Sequence, residues 1–124
     1  MGELHIGDHA ASRAEHPAII MSDGSPGLTY AELNARSDAL AGQLAAAGVR
    51  PGDHLALLLD NEPDFLVAAW AVHRTGVYYT PINWHLHADE GAFIIRDSEA
   101  RVVLTSGRHR ATVEAAVVGA PVAV

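Results

Sequence analysis

Asn61–Asn83, NEPDFLVAAWAVHRTGVYYTPIN, decides how the rest of the chain is read. The Asn61 side chain can accept from the free N–H groups of a first helical turn, and Glu62 and Asp64 put negative charge at the positive end of the helix dipole. Pro63, near the first helical position, gives up only a donor that has no partner there. Phe65, Leu66, Ala69, Trp70 and His73 recur at three- and four-residue steps, which predicts a single packed helix face. Arg74 stands in the last turn, and Gly76 can take the left-handed conformation that closes a helix. Val77-Tyr78-Tyr79-Thr80 is β-branched or aromatic, and Pro81 ends the ladder by removing a donor. Such a strand is too apolar to face water and is expected inside a sheet. A helix of about four turns feeding it is the length a parallel crossover needs.

The flanking sequence repeats this alternation. Asp8 to Glu15 predicts a short helix ended by Pro17, and Ala18–Met21 a strand. Ser22-Asp23-Gly24-Ser25-Pro26-Gly27 is dense in turn formers, so a hairpin returns through Leu28. Thr29-Tyr30-Ala31-Glu32 matches the capping box that starts a helix. Leu33, Ser37, Leu40, Leu44 and Ala47 follow at helical spacing, and Gly48 closes that helix. His54–Leu59 is a near-continuous apolar run, the pattern of a strand covered on both faces. Ala88–Asp97 predicts a further crossover helix with Phe93, Ile94 and Ile95 buried. Val102-Val103-Leu104 predicts an interior strand, Arg108–Val118 a helix, and Pro121–Val124 a fourth strand. The succession is an α/β, Rossmann-like parallel sheet with crossover helices, preceded by a short N-terminal helix and hairpin. Ligands on such sheets collect beyond the carboxyl ends of the strands. Those ends are Asp60-Asn61, Asn83-Trp84-His85 and Thr105-Ser106-Gly107-Arg108.

Composition narrows the chemistry. In 124 residues, 8 Lys+Arg stand against 15 Asp+Glu, a formal charge of −7 that argues against nucleic acid or an anionic membrane as partner. All the basic residues are arginines, which excludes a P-loop lysine or a Schiff base within these residues. There is no cysteine, hence no disulfide or thiolate metal site, as expected of a cytoplasmic protein. The N-terminus is not a secretory signal, and Met1-Gly2 lacks the Ser or Thr at Ile6 that a myristoylation motif requires. The longest uncharged apolar run, Phe65–Val72, falls far short of the ~20 residues of a membrane span.

Several of these stretches, in order, resemble the N-terminal part of the adenylate-forming enzymes, the superfamily of acyl-CoA synthetases, firefly luciferase and peptide-synthetase adenylation domains. Leu28-Thr29-Tyr30-Ala31-Glu32-Leu33 is similar to the first core motif of that family, and His73–Asn83 to the second. Gly48-Val49-Arg50-Pro51-Gly52-Asp53, Leu57–Asn61 and Asp97–Thr105 hold matching positions, so the likeness runs from about residue 8 to the end of the chain. Ile82-Asn83-Trp84-His85-Leu86 followed by Ala88-Asp89-Glu90 resembles the acyl-CoA synthetase branch more than the peptide-synthetase branch.

The resemblance implies activation of a carboxylate by ATP and Mg to an acyl-adenylate, then transfer to the thiol of coenzyme A. It also implies that residues 1–124 are the N-terminal portion of an incomplete ligase domain. The phosphate loop and the catalytic lysine of that family have no counterpart in this sequence. No catalytic residue is therefore assigned, no cofactor is expected to bind tightly to this chain alone, and apolar faces left uncovered would favour self-association. In relatives, the loop after the second strand and an arginine after the third lie near the adenosine phosphate of coenzyme A. The corresponding candidates are Asn83, Trp84, His85 and Arg108, with Arg110 nearby. An arginine fork suits phosphate and an indole can stack on adenine.

Simpler readings stand beside these. His85-x-His87 reads as two solvated loop histidines rather than metal ligands. His73 reads as a core histidine rather than a base, and Trp70, Tyr78 and Tyr79 as packing residues. Asp60 and Glu62 are explained by a strand end and a helix dipole rather than by acid–base work. A free-standing Rossmann-like module binding a nucleotide or coenzyme A without catalysis is the alternative of a different class. The lack of G-x-G-x-x-G between strand and helix argues against a dinucleotide reductase.

Overall fold

A computed structural model describes residues 5–124; the Met1-Gly2 reading falls outside them. Helix α1 (Ile6–Ser12) is capped by His5, not begun at Asp8, because the His5 ring accepts from the Gly7 N–H while the Asp8 carboxylate accepts from the His5 N–H. Strands β1 (Pro17–Ile19) and β2 (Leu28–Thr29) form the expected antiparallel hairpin. Gly27 is required at its base, since a Cβ there would stand 1.8 Å from the Ile19 carbonyl oxygen.

Helix α2 (Tyr30–Ala46) starts at the predicted capping box. Thr29 Oγ1 accepts from Glu32 N at 3.2 Å and the Glu32 carboxylate accepts from Thr29 N at 2.8 Å. It buries Leu33, Ser37, Ala41 and Leu44. The one buried polar residue among these, Ser37, donates to the Asn34 carbonyl and accepts from Arg74, whose guanidinium also bonds Asn34. That bond crosses to helix α3 (Pro63–Thr75).

Strand β3 (His54–Leu58) is the centre of a parallel three-stranded sheet, flanked by β4 (Tyr78–Pro81) and β5 (Val102–Thr105) in the order β4-β3-β5. Leu55, Ala56 and Leu57 are fully buried, as a strand covered on both faces requires. The predicted fourth strand reduces to a parallel bridge between Val102 and Ala123, held by Val103 N–H to Ala123 O and Ala123 N–H to Arg101 O. Helix α4 (Ala88–Asp97) precedes β5 and helix α5 (Arg110–Ala116) follows it.

Several expectations are corrected. The strand after α3 lies at the sheet edge, not inside it: Tyr78 is 61% exposed and Tyr79 40%, and Pro81, lacking an N–H, is suited to an edge. The α3 cap is Glu62 without a side-chain bond, not Asn61, and the buried face is Val67, Ala68, Ala71 and Val72. Leu66 is instead 40% exposed and His73 is exposed, so His73 is no core histidine. The helix is packed between α2 and the sheet: Val67 clusters with Ile6 and Leu33, and Ala68 and Val72 with Leu44, Leu55 and Leu57. Likewise α4 buries Ala92 and Ile95 while Phe93 stands 67% exposed.

Candidate functional site

The parallel register brings the strand ends together. Leu58 of β3 pairs with Thr105 of β5, and the Thr105 hydroxyl donates to the Leu58 carbonyl at 2.8 Å. The two residues past Leu58 therefore lie beside the turn that follows Thr105. There the Asp60 carboxylate accepts from Arg108 Nη1 at 3.0 Å through one oxygen and pairs with His109 Nε2 at 2.6 Å through the other. The His109 side chain is only 12% exposed and Asp60 20%, whereas Arg108 is 67% exposed.

From the β4 end, Trp84 completes the group. The Arg108 guanidinium carbon lies 5.4 Å from the centre of the Trp84 ring, and the His109 ring 5.6 Å from it. The contact is within cation–π range. Asn83 is exposed and accepts through its side-chain oxygen from the His85 N–H at 3.0 Å, bending the loop so that the His85 ring lies against Trp84, centroids 3.5 Å apart. Of the four predicted residues, the fold thus joins Trp84 and Arg108 directly. His85 touches the far partner of that contact, and Asn83 shapes the loop.

Behind Trp84 is a cavity of about 180 Å³ between the sheet, α4 and α5, lined by Ile82, Leu86, Ile95 and Val113 with His109 at its polar side. The hydrogen bond from His109, with the positive charge of Arg108 alongside, holds the Asp60 carboxyl below the usual carboxylate range against the opposing effect of its desolvation. Glu62 goes the other way: desolvation first, then the like charges of Asp64 and Asp60, push its carboxyl up. Its Oε1 and the Ser106 hydroxyl are buried with no hydrogen-bond partner among the described residues.

Composition and spacing did not single out Asp60 and His109 as partners. The signal that would have found them is the strand register itself. Once β3 and β5 are parallel neighbours, residues two past one end and four past the other are adjacent. Among the described residues no group of three or more His, Asp or Glu is placed to hold a metal ion, and no helix is long and apolar enough to cross a membrane. Chemically the cluster presents an exposed cation with spare donors beside an aromatic ring, with a carboxylate that bonds the cation and the neighbouring imidazole.

Residues 6–123 match the AMP-binding enzyme family. The chain is similar to malpibaldin synthetase of Mortierella alpina, 42% identical over 97 residues that cover 78% of this chain and 2% of that protein. It is similar to feruloyl-CoA synthase of an Amycolatopsis species, 38% identical over 108 residues covering 87% of this chain and 22% of that protein. Among solved structures, o-succinylbenzoate CoA synthetase from Bacillus subtilis, bound with a product analogue, superposes with a TM-score of 0.83 at 30% identity, over 96% of this chain and 24% of that one. The chain spans less than a quarter of the length of each of these three relatives. With the sequence matched from the first helix to the final bridge and the same fold beneath it, the chain belongs to the AMP-binding enzyme family.

Proposed function

We propose that this chain forms the N-terminal part of an ATP-dependent acyl-CoA ligase. In the whole ligase, ATP with Mg converts a carboxylate to an acyl-adenylate, and the acyl group then passes to the thiol of coenzyme A. The observation that carries this reading is the agreement along nearly the full chain with a feruloyl-CoA synthase and an o-succinylbenzoate CoA synthetase, of which it spans 22% and 24%. Peptide-type synthetases also appear among the relatives, one being a phosphinothricin tripeptide synthetase from Streptomyces viridochromogenes. The Asn83-Trp84-His85 loop favours the coenzyme A branch, because an indole beside an arginine suits a base bearing phosphate.

In this reading the chain's own residues bind rather than react. Arg108 offers charge to a phosphate, Trp84 stacks on the adenine of coenzyme A, His85 packs against Trp84, and Asn83 sets the loop. With no lysine in the sequence, the 124 residues hold no group to grip the triphosphate of ATP in the manner the family requires. The exposed Ile20, Phe93, Val118 and β4 edge leave apolar surface that favours self-association, which light scattering of the purified chain would register as a mass above 13.1 kDa.

The test is ATP–pyrophosphate exchange by the purified chain together with calorimetry against coenzyme A and AMP. No exchange and weak binding are expected. Exchange that survives further purification would overturn the reading, and micromolar binding without exchange would favour a free-standing nucleotide-binding module.

A further inference from the structure

We infer that Asp60 is a positioning residue of the strand-end site: it holds Arg108 against the Trp84 indole and fixes His109 beside the same ring before any ligand arrives. This rests on the reading of Trp84 and Arg108 as a nucleotide-binding pair. The family likeness assigns no role to Asp60 or His109.

A guanidinium carries five N–H donors in a rigid fork. Arg108 spends one of them, at Nη1, on Asp60, and makes no other hydrogen bond among the described residues. The side chain is 67% exposed, and a long exposed cation without a tether samples many rotamers. The single bond to Asp60 confines it over Trp84 while leaving the remaining donors free for an anion.

The second oxygen of Asp60 meets His109 Nε2 at 2.6 Å, and the 12% exposed imidazole closes the polar side of the cavity behind Trp84. Asp60 lies two residues past Leu58, whose carbonyl is bonded by Thr105, and its own carbonyl accepts from the Glu62 N–H. One carboxylate therefore sets both the cationic and the imidazole neighbours of the indole. A carboxylate sitting on an arginine could instead block an anion. The free donors and the exposure of Arg108 favour orientation over blockage.

The test uses the full chain carrying Trp70→Phe, so that Trp84 is the sole tryptophan, with Asp60→Ala, Asp60→Asn and Arg108→Gln singly and combined. Circular dichroism identifies the variants that fold. Iodide quenching of Trp84 fluorescence needs no ligand. Arg108→Gln should lower the quenching constant when Asp60 is present and leave it unchanged in the Asp60→Ala background. An equal drop in both backgrounds would overturn the inference.

The second arm titrates adenosine 3′,5′-bisphosphate. Asp60→Asn should weaken binding about tenfold, the value of one charge-assisted contact, and by nothing further once Arg108 is gone. Tighter binding by Asp60→Asn would mean that the carboxylate blocks the site and would overturn the inference. Should Arg108→Gln and Trp84→Ala leave affinity untouched, the nucleotide reading fails, while the quenching cycle still decides whether Asp60 holds Arg108.

Discussion

Replacing Ile95 or Phe93 by alanine in α4 separates helical spacing from actual packing, because both residues belong to the same apolar run and lie two positions apart. Ile95 is 1% exposed in a cluster with Ala56, Leu58, Ile82, Val103 and Val113. Ile95→Ala removes three carbon groups, a transfer loss of about 2.4 kcal/mol. The void left under the cavity behind Trp84 adds about 1 kcal/mol. Alanine's better helix propensity returns about 0.4 kcal/mol, for a net loss of roughly 3 kcal/mol. With unfolding entropy near ~2.1 cal/mol/K per residue over 124 residues, that lowers Tm by about 12 °C.

Phe93 is 67% exposed, so only about a third of its burial value, on the order of 1 kcal/mol or less, is at stake. Were it buried as the apolar run suggests, its truncation would cost about 3–5 kcal/mol. Urea unfolding followed by circular dichroism, with equal slopes required of both variants, reads the difference. A Phe93→Ala loss equal to or greater than that of Ile95→Ala would refute the packing described for α4.

Thr29→Ala removes the hydroxyl half of the capping box and should destabilise the chain by about 1 kcal/mol, with Thr29→Ser restoring most of it in the same urea assay. Gly27→Ala drives a methyl into the Ile19 carbonyl and should break the β1–β2 pairing, seen as loss of hydrogen-exchange protection in the hairpin with the β3 amides still protected. Glu62 has its carboxyl pushed up in the folded chain, so its ionisation opposes folding: the penalty is absent below its unfolded value of about 4.3 and grows as pH rises through the folded one. Glu62→Gln should therefore be more stable than the parent at pH 7 and equal to it near pH 4; equal stability at both would refute the assignment. Asp60 has the opposite sign, since its carboxyl is held low. Its contribution is present above about 3.9 and is lost as pH falls through the lower folded value, so Asp60→Asn should flatten the acid limb of the stability curve.

Local chemistry was legible in the residues. The capping box at Thr29 and Glu32, the Gly76 stop, the turn before Leu28 and the doubly covered run Leu55–Leu57 depend on neighbours a few positions away, and the chain folds them as they read. The same locality made the core motifs recognisable and made three strand ends the place to seek a site.

Only tertiary structure decided which face of each helix is buried and which strand is central. Spacing can pair Leu66 with Trp70 or Val67 with Ala71 equally well; packing of α3 between α2 and the sheet selects the second pair. Apolar character alone put Tyr78 and Tyr79 inside the sheet, yet strand order places them at its edge. The contact of Asp60 with Arg108 and His109 spans 48 and 49 positions in the chain, and parallel pairing of β3 with β5 makes them neighbours. Residue type and short-range spacing are properties of the chain, whereas strand order and register arise when remote segments compete for the same core.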